Sequence, residues 1–206
     1  MTERPILFSG PMVRAILEGR KTQTRRVLSY QPSGDVLEVS PPSSDLPRYW
    51  QFRYDVGGVD VPVPNQVGDT LWVREAWRPI GDAPLSECIG PEDIDFYATT
   101  DEIAAAIFKW RPSIHMPRWA SRISLKVTAV KVERLQDISE ADAIAEGILA
   151  HEPTQDDPAE YAAAEGRLIY NDPREAFCDL WISINGAYSW KANPWVVAYS
   201  FQRIKP

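Results

Sequence analysis

The run from residue 121 to 135 limits the fold most. Ile123, Leu125, Val127 and Ala129 alternate there with Ser124, Lys126, Thr128 and Val130. A strand places such a period of two on opposite faces of a sheet. It is the longest strand pattern in the chain, so the fold is organised around a sheet. Further strands are expected over residues 21–28, 70–77, 94–98 and 195–204. On the second of these, Leu71 and Val73 oppose Trp72 and Arg74. Helices are short. Ser9-Gly10-Pro11 opens one, because Pro at the first helical position removes only an N–H that had no partner. Met12, Ala15 and Ile16 form its apolar stripe and Gly19 ends it. A second helix runs from a cap at Thr100 to residue 108. A third, over residues 138–147, is capped by Ser139 with Asp142 at the reciprocal position, and Gly147 closes it. Asp172-Pro173 starts the clearest helix, with Phe177, Leu180, Trp181 and Ile184 on one face and Gly186 at its end.

Residues 29–65 are rich in Pro, Ser, Gly and Asp and lack a clean period. They read as an insertion with a short strand near residues 50–54. Residues 150–165 are acidic and Ala-rich and read as a loop with one solvated helix. Short helices among four to six strands, with no alternating βαβ pattern, give an α+β fold built on a small, partly closed β-barrel. The length of 206 residues suits one domain over residues 1–206, with insertions at about 29–65 and 150–170.

Charge is unevenly placed. The net charge of −7 argues against a nonspecific nucleic-acid coat. Yet residues 1–30 hold six basic and two acidic side chains, and residues 109–126 hold five basic and none acidic. Residues 133–175 hold twelve acidic and three basic ones. A local anion-binding patch is compatible with that distribution. Cys88 and Cys178 lack a CxxC spacing, and His115 and His151 have no ligand cluster around them. No disulfide framework, metal or cofactor is expected. No apolar run approaches the roughly 18 residues of a membrane span. The N-terminus lacks a signal-peptide layout, so the expected compartment is the cytoplasm.

Three stretches carry a resemblance. They are Gly19-Arg20-Lys21-Thr22-Gln23-Thr24-Arg25-Arg26 after the first helix, Val67-Gly68-Asp69-Thr70-Leu71-Trp72-Val73-Arg74-Glu75, and residues 127–148, which end Ala145-Glu146-Gly147-Ile148. In that order they resemble the ASCH domain, a PUA-like β-barrel. The wording of residues 110–122 and of Ser183-Ile184-Asn185-Gly186 is similar to a phage- and prophage-encoded subgroup. The resemblance implies RNA or a modified nucleoside as partner. It also implies an activity, since some small ASCH proteins with these motifs are amidohydrolases that remove the acetyl group from N4-acetylcytidine. Residue by residue, it assigns catalytic roles to Lys21, Thr24 and Glu146.

The residues themselves allow that chemistry. A Thr hydroxyl needs a base to become a nucleophile, and a Lys serves once burial or nearby cations make it neutral. Arg20, Arg25 and Arg26 are such cations, and they are also candidate nucleic-acid or base-binding residues. Backbone N–H groups around Gly19 can hold the oxyanion, and Glu146 can exchange protons with the leaving amine and incoming water. Glu146 sits in the last turn of its helix, where the helix dipole disfavours an anion by about 0.3–1 kcal/mol. That oddity points to a partner such as Lys21. The competing reading is a basic strand with one Thr, and an exposed Glu on a solvated helix end. A second constellation interleaves Arg111, Arg118 and Arg122 with Trp110, His115 and Trp119. Arg suits phosphates and an aromatic face stacks bases, so this loop, with Trp72 and Arg74, reads as the rim of a base-binding cleft. The competing reading makes Trp110 and Trp119 core anchors and pairs the Arg side chains with the acidic segment. Three functions therefore stand. They are an amidohydrolase on an acylated cytosine-like base, a non-catalytic RNA or modified-base reader serving phage development, and, ranked last, a ribonuclease.

Overall fold

The structure, a computed structural model, describes residues 2–151, 159–163 and 168–204. In chain order the strands and helices begin β1 (Glu3–Leu7), α1 (Gly10–Leu17), β2 (Gln23–Val27), β3 (Glu38–Ser40), β4 (Tyr49–Arg53), β5 (Gly58–Pro62), β6 (Thr70–Arg74), β7 (Trp77–Pro79), β8 (Ile94–Phe96) and α2 (Glu102–Ile107). They continue β9 (Ser124–Arg134), α3 (Glu140–Ala145), β10 (Leu149–His151), β11 (Glu160–Ala162), β12 (Ile169–Tyr170), α4 (Pro173–Asn185) and β13 (Trp195–Ile204). The class is mixed α+β, with several small sheets and few helices. The expected four to six strands are too few, since thirteen form among the described residues.

The missed strands have weak local signals. β1 buries only Ile6, so it shows no period. Residues 29–65 hold the antiparallel meander β3–β4–β5. Trp50 and Phe52 of β4 face inward and pair with Val61 and Val59 of β5. The strand expected near residues 50–54 forms as β4, whereas its partners β3 and β5 are short and flanked by prolines and polar residues that hid them. Most of the helix expected over residues 150–165 lies outside the described residues. The described residues around it form the short antiparallel strands β10–β11–β12.

The chain divides into two compact units. The first comprises Met1–Gly19, Gly68–Lys126 and Gln202–Pro206. There β1 pairs in parallel with β6, and β6 pairs antiparallel with the first residues of β9. Its core gathers Trp77, Cys88, Ile94, Phe96, Met116 and Ala120. α2 is capped by Asp101, whose side chain accepts from the Ala104 N–H at 2.9 Å. Thr100 instead donates its hydroxyl to the Phe96 carbonyl at 2.9 Å and stays extended, so the expected cap falls one residue early.

The second unit comprises Arg20–Val67 and Val127–Phe201. Its strand order is β9–β13–β2, with β13 and β2 antiparallel. α3 starts where Ser139 Oγ accepts from the Asp142 N–H at 3.1 Å, and it ends at Gly147, whose φ of 98° only glycine adopts freely. Leu135, Ile138, Ile148, Phe177, Trp181 and Val196 form the core between α3, α4 and the strands. Each large apolar side chain buried there contributes about 1.5–3 kcal/mol. Ile184 does not join them, being 53% exposed at the end of α4. Trp190 packs on Phe177, and Trp195 meets the edge of Phe52 at 5.0 Å.

Candidate functional site

β2 sorts its side chains by parity. Gln23 and Arg25 share one face, where the Arg25 guanidinium donates to Gln23 Oε1. Thr24 and Arg26 share the other, where Arg26 Nη1 donates to Thr24 Oγ1 at 3.0 Å. The register with β13 agrees. Ser200 lies opposite Gln23 and takes its amide at 3.1 Å, while Tyr199 lies opposite Thr24. Just before the strand, Thr22 donates its N–H to Ala145 O at 2.8 Å, which ties this turn to the end of α3.

Lys21 and Glu146 meet there. Lys21 Nζ donates to Glu146 Oε2 at 2.7 Å and to the Glu146 carbonyl at 2.7 Å. The residues are 2% and 3% exposed. The ammonium thereby satisfies a carbonyl that the helix end leaves without an intrahelical partner, and it neutralises the carboxylate that the dipole disfavours. Burial pulls the Lys21 pKa below its ordinary value. Glu146 opposes that shift, while Arg26 and Arg25 reinforce it. Burial also pulls Arg26 below its ordinary range, against Glu146 and Tyr199.

Arg25 organises the acidic side of the site. Its guanidinium reaches Glu146 Oε1 at 3.1 Å, Glu133 Oε1 at 2.7 and 3.1 Å, and Asp142 Oδ2 at 3.1 Å. Lys131 adds an ion pair to Glu133 at 2.6 Å. Burial raises the Asp142 pKa, but the Gln23 amide, Arg25 and the Ser139 cap outweigh it and hold the carboxyl below its usual range. A fully buried cation shared by three carboxylates is strongly oriented, because each donor of the fork has a fixed acceptor. Arg20 lies at the margin and donates to Gly147 O at 2.9 Å.

Lys21, Glu146, Arg25 and Arg26 therefore share one buried neighbourhood in the second unit. Thr24 enters it through Arg26, on the face of β2 opposite Arg25. Glu133, Asp142, Gln23 and Tyr199 belong to the same neighbourhood, and sequence reasoning did not single them out as site residues. One signal was available. Asp142 and Glu146 are four apart on one helix, a spacing that puts both carboxylates on one face.

The other candidate residues lie in the first unit, and most of them engage neighbouring side chains or backbone there. Arg74 stacks 4.6 Å over Trp72, which is itself buried, and donates to Ile114 O at 3.2 Å. Arg118 pairs with Glu3 at 2.7 Å. Arg122 grips Glu75 with two bonds of 3.0 Å and lies 3.9 Å over Phe96. Burial raises the Glu75 pKa, with Arg122 opposing. Arg111 lies 5.4 Å from the Trp77 ring, and Trp119 meets the same ring edge-on at 6.3 Å. Trp110 donates its indole N–H to Ala105 O at 2.9 Å. His115 is exposed. Trp119 is half-buried against the core of this unit, and Trp110 is half-buried and edge-on to Tyr97. Arg118 and Arg122 pair with Glu3 and Glu75 rather than with the acidic segment at 133–175, which instead supplies the carboxylates around Arg25.

Among the described residues no group of three or more His, Cys, Asp or Glu is placed to hold a metal ion, and no helix is long and apolar enough to cross a membrane. Comparison with protein-family models, curated proteins and solved structures finds no match.

Proposed function

We propose that this chain is an amidohydrolase of ASCH type that cleaves an acyl group from a modified cytosine base or nucleoside. The observation that carries the reading is the Lys21–Glu146 pair. Its members are 125 residues apart, come from two of the stretches that resemble the family, and meet at 2.7 Å inside the protein. In this reading Thr24 Oγ1 attacks the acyl carbon and Lys21, whose neutral form burial favours, takes the hydroxyl proton. Glu146, which holds the shared proton of the pair while Lys21 is neutral, gives it to the departing amine. It then takes one from the water that releases the acyl group, as Lys21 returns the hydroxyl proton to Thr24 Oγ1. Arg26, already bonded to Thr24 Oγ1, orients the hydroxyl. The β9–β13–β2 strands would form part of a PUA-like barrel. RNA or a free modified nucleoside as partner, and the cytoplasm as compartment, belong to the same proposal.

The test is hydrolysis of N4-acetylcytidine by the folded protein, followed by chromatography, beside Thr24→Ala. Thr24 sits outside the ion-pair network of Arg25, so this variant keeps its fold while losing the nucleophile. The expected result is turnover by the wild type and a loss of about 10³-fold or more in the variant. Its rate should rise with pH through the Lys21 pKa, which lies below the ordinary lysine value. No turnover by the folded wild type would refute the enzymatic reading and leave an RNA- or base-binding module to be tested by salt-dependent binding.

A further inference from the structure

We propose a binding site for a small uncharged heteroaromatic ring in the cavity beside Trp50, independent of the hydrolase reading. The cavity lies wholly in the second unit and measures about 270 Å³. Trp50 and Val63 form its buried floor, and Pro41, Pro47 and Val67 form an exposed rim. The floor is held by backbone, since Trp50 pairs with Val61 across β4 and β5 and Val63 donates its N–H to Arg48 O at 2.8 Å. Stiff prolines and a sheet-borne Trp make this a preformed recess.

Two features choose the ligand. Every lining residue is uncharged, which disfavours an ionic guest that would lose its hydration without compensation. Asn65 also lines the cavity, and its side-chain oxygen is buried with no hydrogen-bond partner among the described residues. A buried amide oxygen accepts readily and is costly to leave unmade. The complementary guest is flat, to lie against the Trp50 indole, and presents an N–H to Asn65. At about 30 Å³ per displaced water, the volume equals about nine waters, which matches a one- or two-ring solute.

The probes are indole and benzofuran, which share a shape but differ in the N–H. Each is titrated into the full chain while the amide and side-chain NMR signals of Trp50, Val63 and Asn65 are followed. Indole is expected to shift these signals saturably at millimolar concentration and to bind about fivefold more tightly than benzofuran. Asn65→Leu should bring indole down to the benzofuran affinity, whereas Asn65→Asp, which keeps an acceptor, should preserve the preference. Absence of shifts at these residues, equal affinity for the two rings, or a preference surviving in Asn65→Leu would each overturn the proposal. Should Asn65→Leu fail to fold, the wild-type pair and Asn65→Asp decide.

Discussion

Glu146→Gln keeps the shape of the side chain and removes its charge. In the wild type the Lys21 ammonium is fully enclosed and its main anionic partner stands at 2.7 Å. At an effective dielectric near 20 the gross attraction at that distance is about 6 kcal/mol, and most of it offsets the desolvation of the two groups. Removing one partner leaves the other's desolvation uncompensated, which costs about 3–5 kcal/mol. Arg25 is less affected because Glu133 and Asp142 still hold it. With a urea slope of about 2 kcal/mol per molar, the unfolding midpoint should fall by about 1.5–2.5 M, read by circular dichroism. The pH dependence carries the cause. The Lys21 pKa is lower folded than unfolded, so the unfolded state binds more protons between the two values and stability rises with pH there. Without Glu146, which raises it, the folded pKa drops further and that rise begins at a lower pH. Lys21→Met combined with Glu146→Gln should recover most of the loss, since no unpaired charge remains. A single variant that loses less than about 1 kcal/mol, or a double variant no better than the single, would refute the view that a buried charge sets the cost.

Arg122→Met should destabilise by about 3 kcal/mol, because it strips the bidentate partner from a nearly inaccessible Glu75. Burial already raises the Glu75 pKa, and losing Arg122 raises it more. The folded state then holds a proton that the unfolded state has released, so the defect should deepen from pH 5 to pH 7, checked by thermal melting at both. Ser139→Ala removes the α3 cap and should cost about 1 kcal/mol, or a fall of about 2–4 °C in Tm. Gly147→Ala forces a side chain onto a backbone at φ 98° and should cost about 1–2 kcal/mol in the same assay.

The sequence by itself determined the elements whose signals are local. The alternation over residues 121–135 became β9, the pattern from Asp172-Pro173 to Gly186 became α4, and the last strand begins at Trp195 as its pattern predicts. Ser139 capped α3, and the misplaced charge of Glu146 already asked for a cation. Weak alternation hid β1 and the partners β3 and β5 of the expected strand near residues 50–54, and Ile184 shares a helical stripe with Phe177 yet is 53% exposed. Only the tertiary structure decided which charges meet. Arg25 gathers Glu133, Asp142 and Glu146 across more than 100 residues, while Arg118 and Arg122 turn to Glu3 and Glu75. Helix and strand periods reach only a few positions along the chain, so they specify faces. Buried ion pairs are selected by which faces the folded chain brings within about 3 Å, and no local spacing encodes that.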